Sequence, residues 1–486
     1  MKIKSLKHNF IMYFIRAFSE FGFTLFIFPY IARKIGAEGV GRIQYIQTIA
    51  SYFLLFINFA IVSYGRREVA LYRDDEVELN NLVNELLTIL YITTIIGSIC
   101  YFLFIVFCVH SYIDKILLCI FFVNIILNVL NVEWFYLGIE NQGYITKRNV
   151  IVKIFSAILI FLFVKSKSDI YTYAGILILA TVGSNIYNFI NLRKYIKLKI
   201  KNYSCLKKHF KRLFYLFFSA IATSIAYSLD SVMISKLVGD TELGYYTLAS
   251  KFGKMPLVIG IVIVGIFLSR MTNMIGQKNI KKYNMLWYLG KDIIFWFYFP
   301  FMIGIIILAK SLVLIIGGEE FVRAIPIFQL FSFYILVMGF AVLTGITLDT
   351  YRRDKEYSLS VILGAIFNFL FNIVFIVKLG ATGAVIATII TEIMAIIVRY
   401  ISCRDIFKNL KLFDFNMVKL AFASVVMGLV VFHIEKLVNN VFLKVGISAI
   451  IGAIVYTVIL LLLKERLSWI VIKKVKSKVH ILATSK

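Results

Sequence analysis

The chain is poor in the residues that build most catalytic and metal centres. It has five cysteines without paired or CxxC spacing, which argues against a disulfide framework or a cysteine metal site. Its five histidines lie near helix ends or in connectors and form no metal constellation. No GxGxxG, Walker A or HExxH motif is present, so we expect neither a nucleotide nor a metal as a cofactor.

Charged residues are also scarce, and long apolar stretches make up most of the chain. Charged residues make up 16% of the chain and hydrophobic residues 60%, against roughly 25% charged in an ordinary globular domain. We find fourteen apolar stretches, each about as long as the 17 to 25 residues that a helix needs to cross a bilayer. The sequence therefore predicts an all-α polytopic membrane protein with about fourteen transmembrane helices. The predicted spans are 10–35, 43–64, 86–109, 116–138, 150–165, 170–192, 213–238, 245–269, 292–316, 325–348, 359–377, 381–401, 416–434 and 445–463.

The net charge of +27 comes mainly from Lys and Arg residues in alternate connectors. If the N-terminus is cytoplasmic, inside connectors and their helix ends hold about 38 of the 53 Lys and Arg residues. The positive-inside rule therefore predicts both termini in the cytoplasm, and the many spans predict an inner-membrane-type protein. The basic charge needs no nucleic-acid partner, because it lies where membrane topology requires it.

Two glycine-containing turns suggest an internal repeat. Residues 33–41 read RKIGAEGVG and residues 236–244 read KLVGDTELG, so Gly36 and Gly41 match Gly239 and Gly244 at an offset of 203 residues. Equivalent elements are six predicted helices apart, so both repeats enter the membrane in the same orientation. Parallel repeats of this kind are an architecture of transporters, with the substrate site between the halves. Independent helix–glycine–helix turns are the alternative explanation.

These patterns divide the chain into five predicted parts. They are an N-terminal six-helix lobe at 1–192, a basic cytoplasmic linker at 193–212, a C-terminal six-helix lobe at 213–403, two additional helices at 404–463 and a basic tail at 464–486.

Three basic residues within predicted spans are candidates for a substrate site. Arg16 lies in the first span, four residues before Glu20, and Lys251 and Lys254 lie near the start of the eighth. Ionisable residues inside spans usually face a bundle interior or a water-filled cavity. Arg and Lys at such a site would suit a phosphate group. Two plainer explanations remain: Arg16 and Glu20 form a neutralising pair, and the lysines lie shallow at the outer side.

Other intramembrane residues suggest coupling and bending. Glu20 and Asp230 occupy the first spans of the two lobes, where a carboxylate could exchange a proton as the cargo moves. Pro29 and Pro256 each remove a backbone donor, so we expect bends that either serve gating or only adapt packing. Further candidates are Glu133, Lys153 and Glu392.

Several stretches resemble a known family. FPYIARKIGAEGVGRIQY at 28–45, followed by SYGRREVALYRDD at 63–75, resembles the polysaccharide flippases of the multidrug/oligosaccharidyl-lipid/polysaccharide exporter superfamily. EWFYLGIENQGYITKRN at 133–149 and LASKFGK at 248–254 fit the same pattern. The similarity covers nearly the whole chain and is greatest to the O-antigen (Wzx) flippases.

The resemblance implies two six-helix lobes related by pseudo-two-fold symmetry, two extra C-terminal helices, and a cavity that opens to alternate faces. It implies a cargo of undecaprenyl-pyrophosphate-linked oligosaccharide, with its polyprenyl tail in membrane lipid. It also implies the polysaccharide polymerase machinery as a protein partner. The second span lacks the charged residue that relatives commonly carry there.

Two rival functions remain from the sequence. One is a drug or metabolite antiporter of the same superfamily, but a cation exporter needs an acidic cavity and the candidate residues here are mainly basic. The other is a membrane polysaccharide polymerase or ligase, which needs a large external loop for its catalytic residues. No predicted outside connector exceeds roughly ten residues, so we expect a protein that is not an enzyme.

Overall fold

The computed structural model describes residues 6–199 and 203–469, and every regular element within these ranges is a helix. The prediction of an all-α fold is therefore confirmed. The helices are α1 (Leu6–Asn58), α2 (Ile61–Tyr72), α3 (Glu76–Cys108), α4 (Tyr112–Ile126), α5 (Glu133–Gly138), α6 (Gln142–Phe163), α7 (Ile170–Leu192), α8 (Tyr203–Val238), α9 (Asp240–Gly253), α10 (Leu257–Gly276), α11 (Ile280–Ile316), α12 (Ile325–Thr350), α13 (Asp354–Leu379), α14 (Ala381–Ser402), α15 (Arg404–Phe407), α16 (Phe415–Leu437) and α17 (Val441–Leu462).

Eleven candidate membrane spans occur in the described part of the chain, as judged by length and composition. One of them, Ile11–Asn58, contains two span-length halves, because Gly36 interrupts α1 with a positive φ of 74°. Glycine has no Cβ and adopts this conformation without strain. The multi-span prediction is confirmed, whereas the count of fourteen and the symmetry of the lobes stay predictions.

The chain forms two compact units, Met1–Gly244 and Tyr245–Lys486. In the first unit α1 packs against α3, α4, α6 and α8, and α4 packs against α7. Caps define two of these helices: the Asp75 carboxylate accepts from the amides of Val77 and Glu78 at the start of α3, and the Ser111 hydroxyl caps α4.

The start of α8 is fixed to the first unit by buried polar contacts. The imidazole of His209 bonds the Glu85 carboxylate through Nε2 at 2.8 Å and the Tyr64 hydroxyl through Nδ1 at 2.9 Å. All three side chains are buried. Buried polar groups are stable when they are paired in this way. The contact connects α8 with α2 and α3.

The two glycine turns singled out in the sequence touch each other inside the first unit. A Cβ on Gly41 would lie 1.7 Å from the Asp240 carbonyl oxygen, and a Cβ on Gly244 would lie 1.9 Å from the Ala37 carbonyl oxygen. The two contacts are reciprocal, because Ala37 and Asp240 also differ by 203 residues. A two-fold relation between the turns would produce this arrangement. Arg42 adds an ion pair to Asp240 at 3.1 Å.

The second unit is built around α11, which packs against α10, α12, α16 and α17. Two buried charges on α11 bind the C-terminal segments: Lys291 pairs with Asp414 at 2.6 Å, and Asp292 pairs with Arg466 at 3.0 Å. The two additional helices are therefore packed and ion-paired to this unit.

Three predicted spans are interrupted in the structure. The span predicted at 43–64 is divided between the end of α1 and the start of α2. The span predicted at 116–138 ends with α4 and a 3-10 turn at Leu127–Leu130, and Glu133 begins the separate helix α5. The span predicted at 245–269 is divided between α9 and α10, with Lys254 and Pro256 in the interruption. By contrast, α1 continues through Pro29, since its only non-helical backbone is at Gly36.

Candidate functional site

A charged cluster in the first unit contains Arg16. The Arg16 guanidinium donates from Nη2 to Glu133 Oε1 at 2.7 Å and from Nε to Glu20 Oε1 at 3.3 Å. The second oxygen of Glu133 accepts from Arg148 Nη2 at 2.6 Å. Glu133 therefore bridges two arginines, one from α1 and one from α6, and we call Arg16, Glu133 and Arg148 the arginine bridge.

The local fold explains why these three residues meet. The break after α4 turns the chain so that Glu133 is the first residue of α5. Acidic residues are favoured at a helix N-terminus, where the helix dipole is positive. α6 packs against both α1 and α5, which brings Arg148 to the other carboxylate oxygen. The Asn149 side chain also accepts from Arg148 Nη2, at 2.6 Å.

Arg148 has unused hydrogen-bonding capacity. It is 6% exposed, and in the described part of the chain its Nε and Nη1 groups have no hydrogen-bond partner. Lys153, one and a half turns further along α6, places its ammonium 5.7 Å from the centre of the Phe23 ring. With Glu20, the cluster has three cationic and two anionic side chains. It is a net cationic site that includes donors without a protein acceptor.

The sequence did not single out Arg148 as a functional residue, although it lies in the stretch at 133–149. Glu133 and Lys153 were candidates as separate intramembrane charges. One signal was available on α6, where the cations are Lys147, Arg148 and Lys153. Neighbouring residues of a helix point in different directions, so only one of Lys147 and Arg148 can face the bundle. Lys147 is exposed and Arg148 is buried.

The two predicted lysines lie in the second unit. Lys251 is exposed near the end of α9. Lys254 is half-buried, and its ammonium lies 5.2 Å and 5.5 Å from the ring centres of Phe331 and Tyr334 on α12. Cations over aromatic faces are stabilised by the ring quadrupole. Glu392 on α14 is close enough to interact electrostatically with Lys254.

The cationic site predicted from Arg16, Lys251 and Lys254 therefore has members in both units. Arg16 belongs to the arginine bridge of the first unit. In the second unit Lys251 lies near the end of α9, and Lys254 lies beside two aromatic rings of α12. Their joint action on one ligand stays a prediction.

The two predicted coupling carboxylates have different surroundings. Asp230 on α8 is buried, with Tyr52 on the second half of α1 close enough to feel its charge. Glu20 has a side chain that is 53% exposed and pairs with Arg16. A gating role for Pro29 or Pro256 and an ion-coupling role for Glu20 or Asp230 stay predictions.

A comparison with protein families places residues 6–268 in a family described as polysaccharide biosynthesis protein. A Shigella dysenteriae protein, provisionally named an O-antigen transporter, is 24% identical over 405 residues, which cover 81% of this chain and 98% of that protein.

Solved structures show the same fold. The lipid II flippase MurJ, in an inward closed conformation, aligns with a TM-score of 0.70 at 19% identity and covers 93% of this chain and 98% of its own. An inward-facing multidrug resistance transporter of the MATE family, from the MOP superfamily, aligns with a TM-score of 0.57 at 14% identity. It covers 79% of this chain and 94% of its own.

Proposed function

We propose that this chain, which belongs to the polysaccharide biosynthesis protein family, is a flippase for lipid-linked oligosaccharides rather than an enzyme. Its relatives by sequence and fold are named as an O-antigen transporter and a lipid II flippase. Both names describe movement of a saccharide or its lipid-linked form. The finer proposal is that the cargo is an O-antigen or similar repeat unit on undecaprenyl pyrophosphate.

The observation that carries this proposal is the arginine bridge. Glu133 accepts hydrogen bonds from two guanidinium groups, and two donors of Arg148 have no acceptor among the described residues. Guanidinium groups bind phosphate oxygens with paired hydrogen bonds. A pyrophosphate bound at this cluster would supply the acceptor oxygens that these donors lack. A cationic drug would instead be repelled by the net positive charge of the cluster.

We propose Lys251 and Lys254, in the second unit, as further residues that bind the cargo. Lysine binds phosphate as a compact charge, and the rings of Phe331 and Tyr334 restrict the position of the Lys254 ammonium. The polyprenyl tail would remain in the bilayer while the head group crosses by alternating access. Glu20 and Asp230 are the proposed carriers of a coupling ion, and the proposed location is the inner membrane with both termini cytoplasmic.

The test measures the lipid-linked intermediates in cells that lack this gene. We expect repeat units to accumulate on the carrier lipid in the cytoplasmic leaflet, and surface glycan to be lost. The wild-type gene should restore export. Arg16→Ala, Lys251→Ala and Lys254→Ala should each restore less, since a hydrogen bond to a charged group contributes about 1.5–3 kcal/mol.

Lys147→Ala is the matched control, because Lys147 is an exposed cation on α6 beside Arg148. It should restore export fully. Accumulation of unlinked sugar nucleotides instead of lipid-linked units would indicate a biosynthetic defect and contradict the proposal. Full export by a double variant of Arg16 and Lys254 at native expression would remove these residues from the site.

A further inference from the structure

A cavity lies in the first unit, and none of the described residues that line it is charged. It has a volume of about 210 Å³ between the second half of α1, α4 and α7. Four uncharged polar residues line it: Gln47, Ser51, Asn124 and Thr181. We call this cavity the neutral pocket. Its volume exceeds the roughly 30 Å³ of one water and falls below the roughly 300–1,000 Å³ of drug-sized sites.

From its position along three helices, we expect the neutral pocket near the middle of the membrane. Gln47 is eleven residues beyond Gly36, Asn124 twelve residues into α4 and Thr181 eleven residues into α7. At 1.5 Å per residue each lies about 16–18 Å along its helix, half of the roughly 30 Å hydrocarbon core. Transporters bind their substrates at this depth.

Two side-chain amides in the pocket lack partners. Asn124 is 9% exposed, and within the described ranges its amide has no hydrogen-bond partner. The same holds for the amide of the half-buried Gln47. Neither amide is among the side-chain groups sealed from solvent without a partner, so both are accessible from the pocket and can bond a ligand there.

The chemistry of the lining selects the ligand. Amides and hydroxyls both donate and accept hydrogen bonds, as sugar hydroxyls do. Phe121 and Leu54 supply apolar walls that match the C–H faces of a sugar ring. The absence of lining charges disfavours a phosphate, a carboxylate or a cation. A single neutral, hydroxylated ring fits the size and the polarity of this pocket.

We propose that the neutral pocket binds an uncharged sugar residue of the cargo, with Asn124 and Gln47 as its main hydrogen-bonding residues. This inference rests on the proposed function, because it assigns the saccharide part of the same cargo. The pocket would separate recognition of the sugar from recognition of the pyrophosphate.

The experiment compares two probes with purified full-length protein. One is the lipid-linked oligosaccharide that accumulates in cells lacking this gene, and the other is bare undecaprenyl pyrophosphate. We expect the wild type to bind the intact lipid more tightly. Asn124→Leu and Gln47→Leu should each weaken binding of the intact lipid about fivefold, as expected for one hydrogen bond, and leave binding of the bare lipid unchanged.

Thermal stability without ligand separates binding from folding. The Asn124 amide bonds no group in the described ranges, so Asn124→Leu should leave the ligand-free protein as stable as the wild type or more stable. Asn128→Leu is the control: its amide, one turn further on, donates to Asn58 outside the pocket. It should leave the ratio of the two affinities unchanged.

The possible failures are distinguishable. Wild-type protein that binds both lipids equally, or a pocket variant that loses both equally, would overturn the sugar pocket and leave the flippase proposal standing. A large loss of ligand-free stability in Asn124→Leu would show a structural amide and also overturn the pocket. Wild-type protein that binds neither lipid would contradict the proposed function itself.

Discussion

Removal of the Glu133 charge should destabilise the protein, because Glu133 bridges two arginines. Glu133 accepts from Arg16 at 2.7 Å and from Arg148 at 2.6 Å, and Arg148 is nearly fully buried. Glu133→Gln keeps the side-chain size but leaves two cations without their shared counter-charge. Loss of one partner of a buried ion pair costs about 3–5 kcal/mol.

We expect a cost below this range, about 2–3 kcal/mol, because the Glu133 and Arg16 side chains are 24% and 23% exposed. Glu140→Gln is the matched control. Glu140 pairs with Arg73 at the same distance of 2.7 Å, but its side chain is 41% exposed, so its loss should cost less than about 1 kcal/mol.

The assay is the temperature at which purified, detergent-solubilised protein loses half of its monodisperse fraction. Glu133→Gln should lower this temperature clearly more than Glu140→Gln does. Added inorganic pyrophosphate should recover part of the loss in Glu133→Gln, because the anion takes the place of the carboxylate between the arginines. Equal effects of the two variants would refute the arginine bridge as a buried network.

Three further predictions follow from other parts of the chain. Gly41→Ala and Gly244→Ala should each destabilise the protein by about 1–3 kcal/mol through backbone clashes. Gly22→Ala is the control: a Cβ there meets nothing within 4 Å, so this variant should be neutral or stabilising in the same thermal assay. Equal tolerance of all three substitutions would contradict the close contact between the turns. Reporter fusions after residues 80, 205, 280 and 410 should report cytoplasm, and those after 39, 241 and 320 the exterior; a periplasmic signal at 205 would reverse the topology. Glu20→Gln and Asp230→Asn should weaken export and its response to a collapsed proton gradient, and wild-type export with unchanged uncoupler sensitivity would exclude both as proton carriers.

The class of fold was predictable because span-length apolar stretches leave few alternatives to helices. The turn at Gly36 was also predictable, since a glycine between basic and acidic residues interrupts two apolar runs. The end of α4 was not, because residues 127–132 contain no glycine or proline to mark the break. Glu133 was therefore placed inside a span instead of at the start of α5.

The site was less predictable than the fold. The sequence named Arg16 for its spacing to Glu20, but Glu133 and Arg148 are 117 and 132 residues away along the chain. Only the packing of α6 against α1 and α5 brings the three together. The neutral pocket gave no sequence signal, because asparagine, glutamine, serine and threonine recur throughout the spans. Which of these face a cavity depends on helix rotation, which composition does not specify.

The most direct test of the flippase function is movement of the cargo by the purified protein. Proteoliposomes would contain the labelled lipid-linked oligosaccharide from cells lacking this gene, and a membrane-impermeant glycosidase would report which head groups are outside. We predict that wild-type protein makes the inner-leaflet head groups accessible, and that a double variant Arg16→Ala/Lys254→Ala does so at least tenfold more slowly. Head groups that stay protected at the rate of protein-free vesicles would contradict the proposed function.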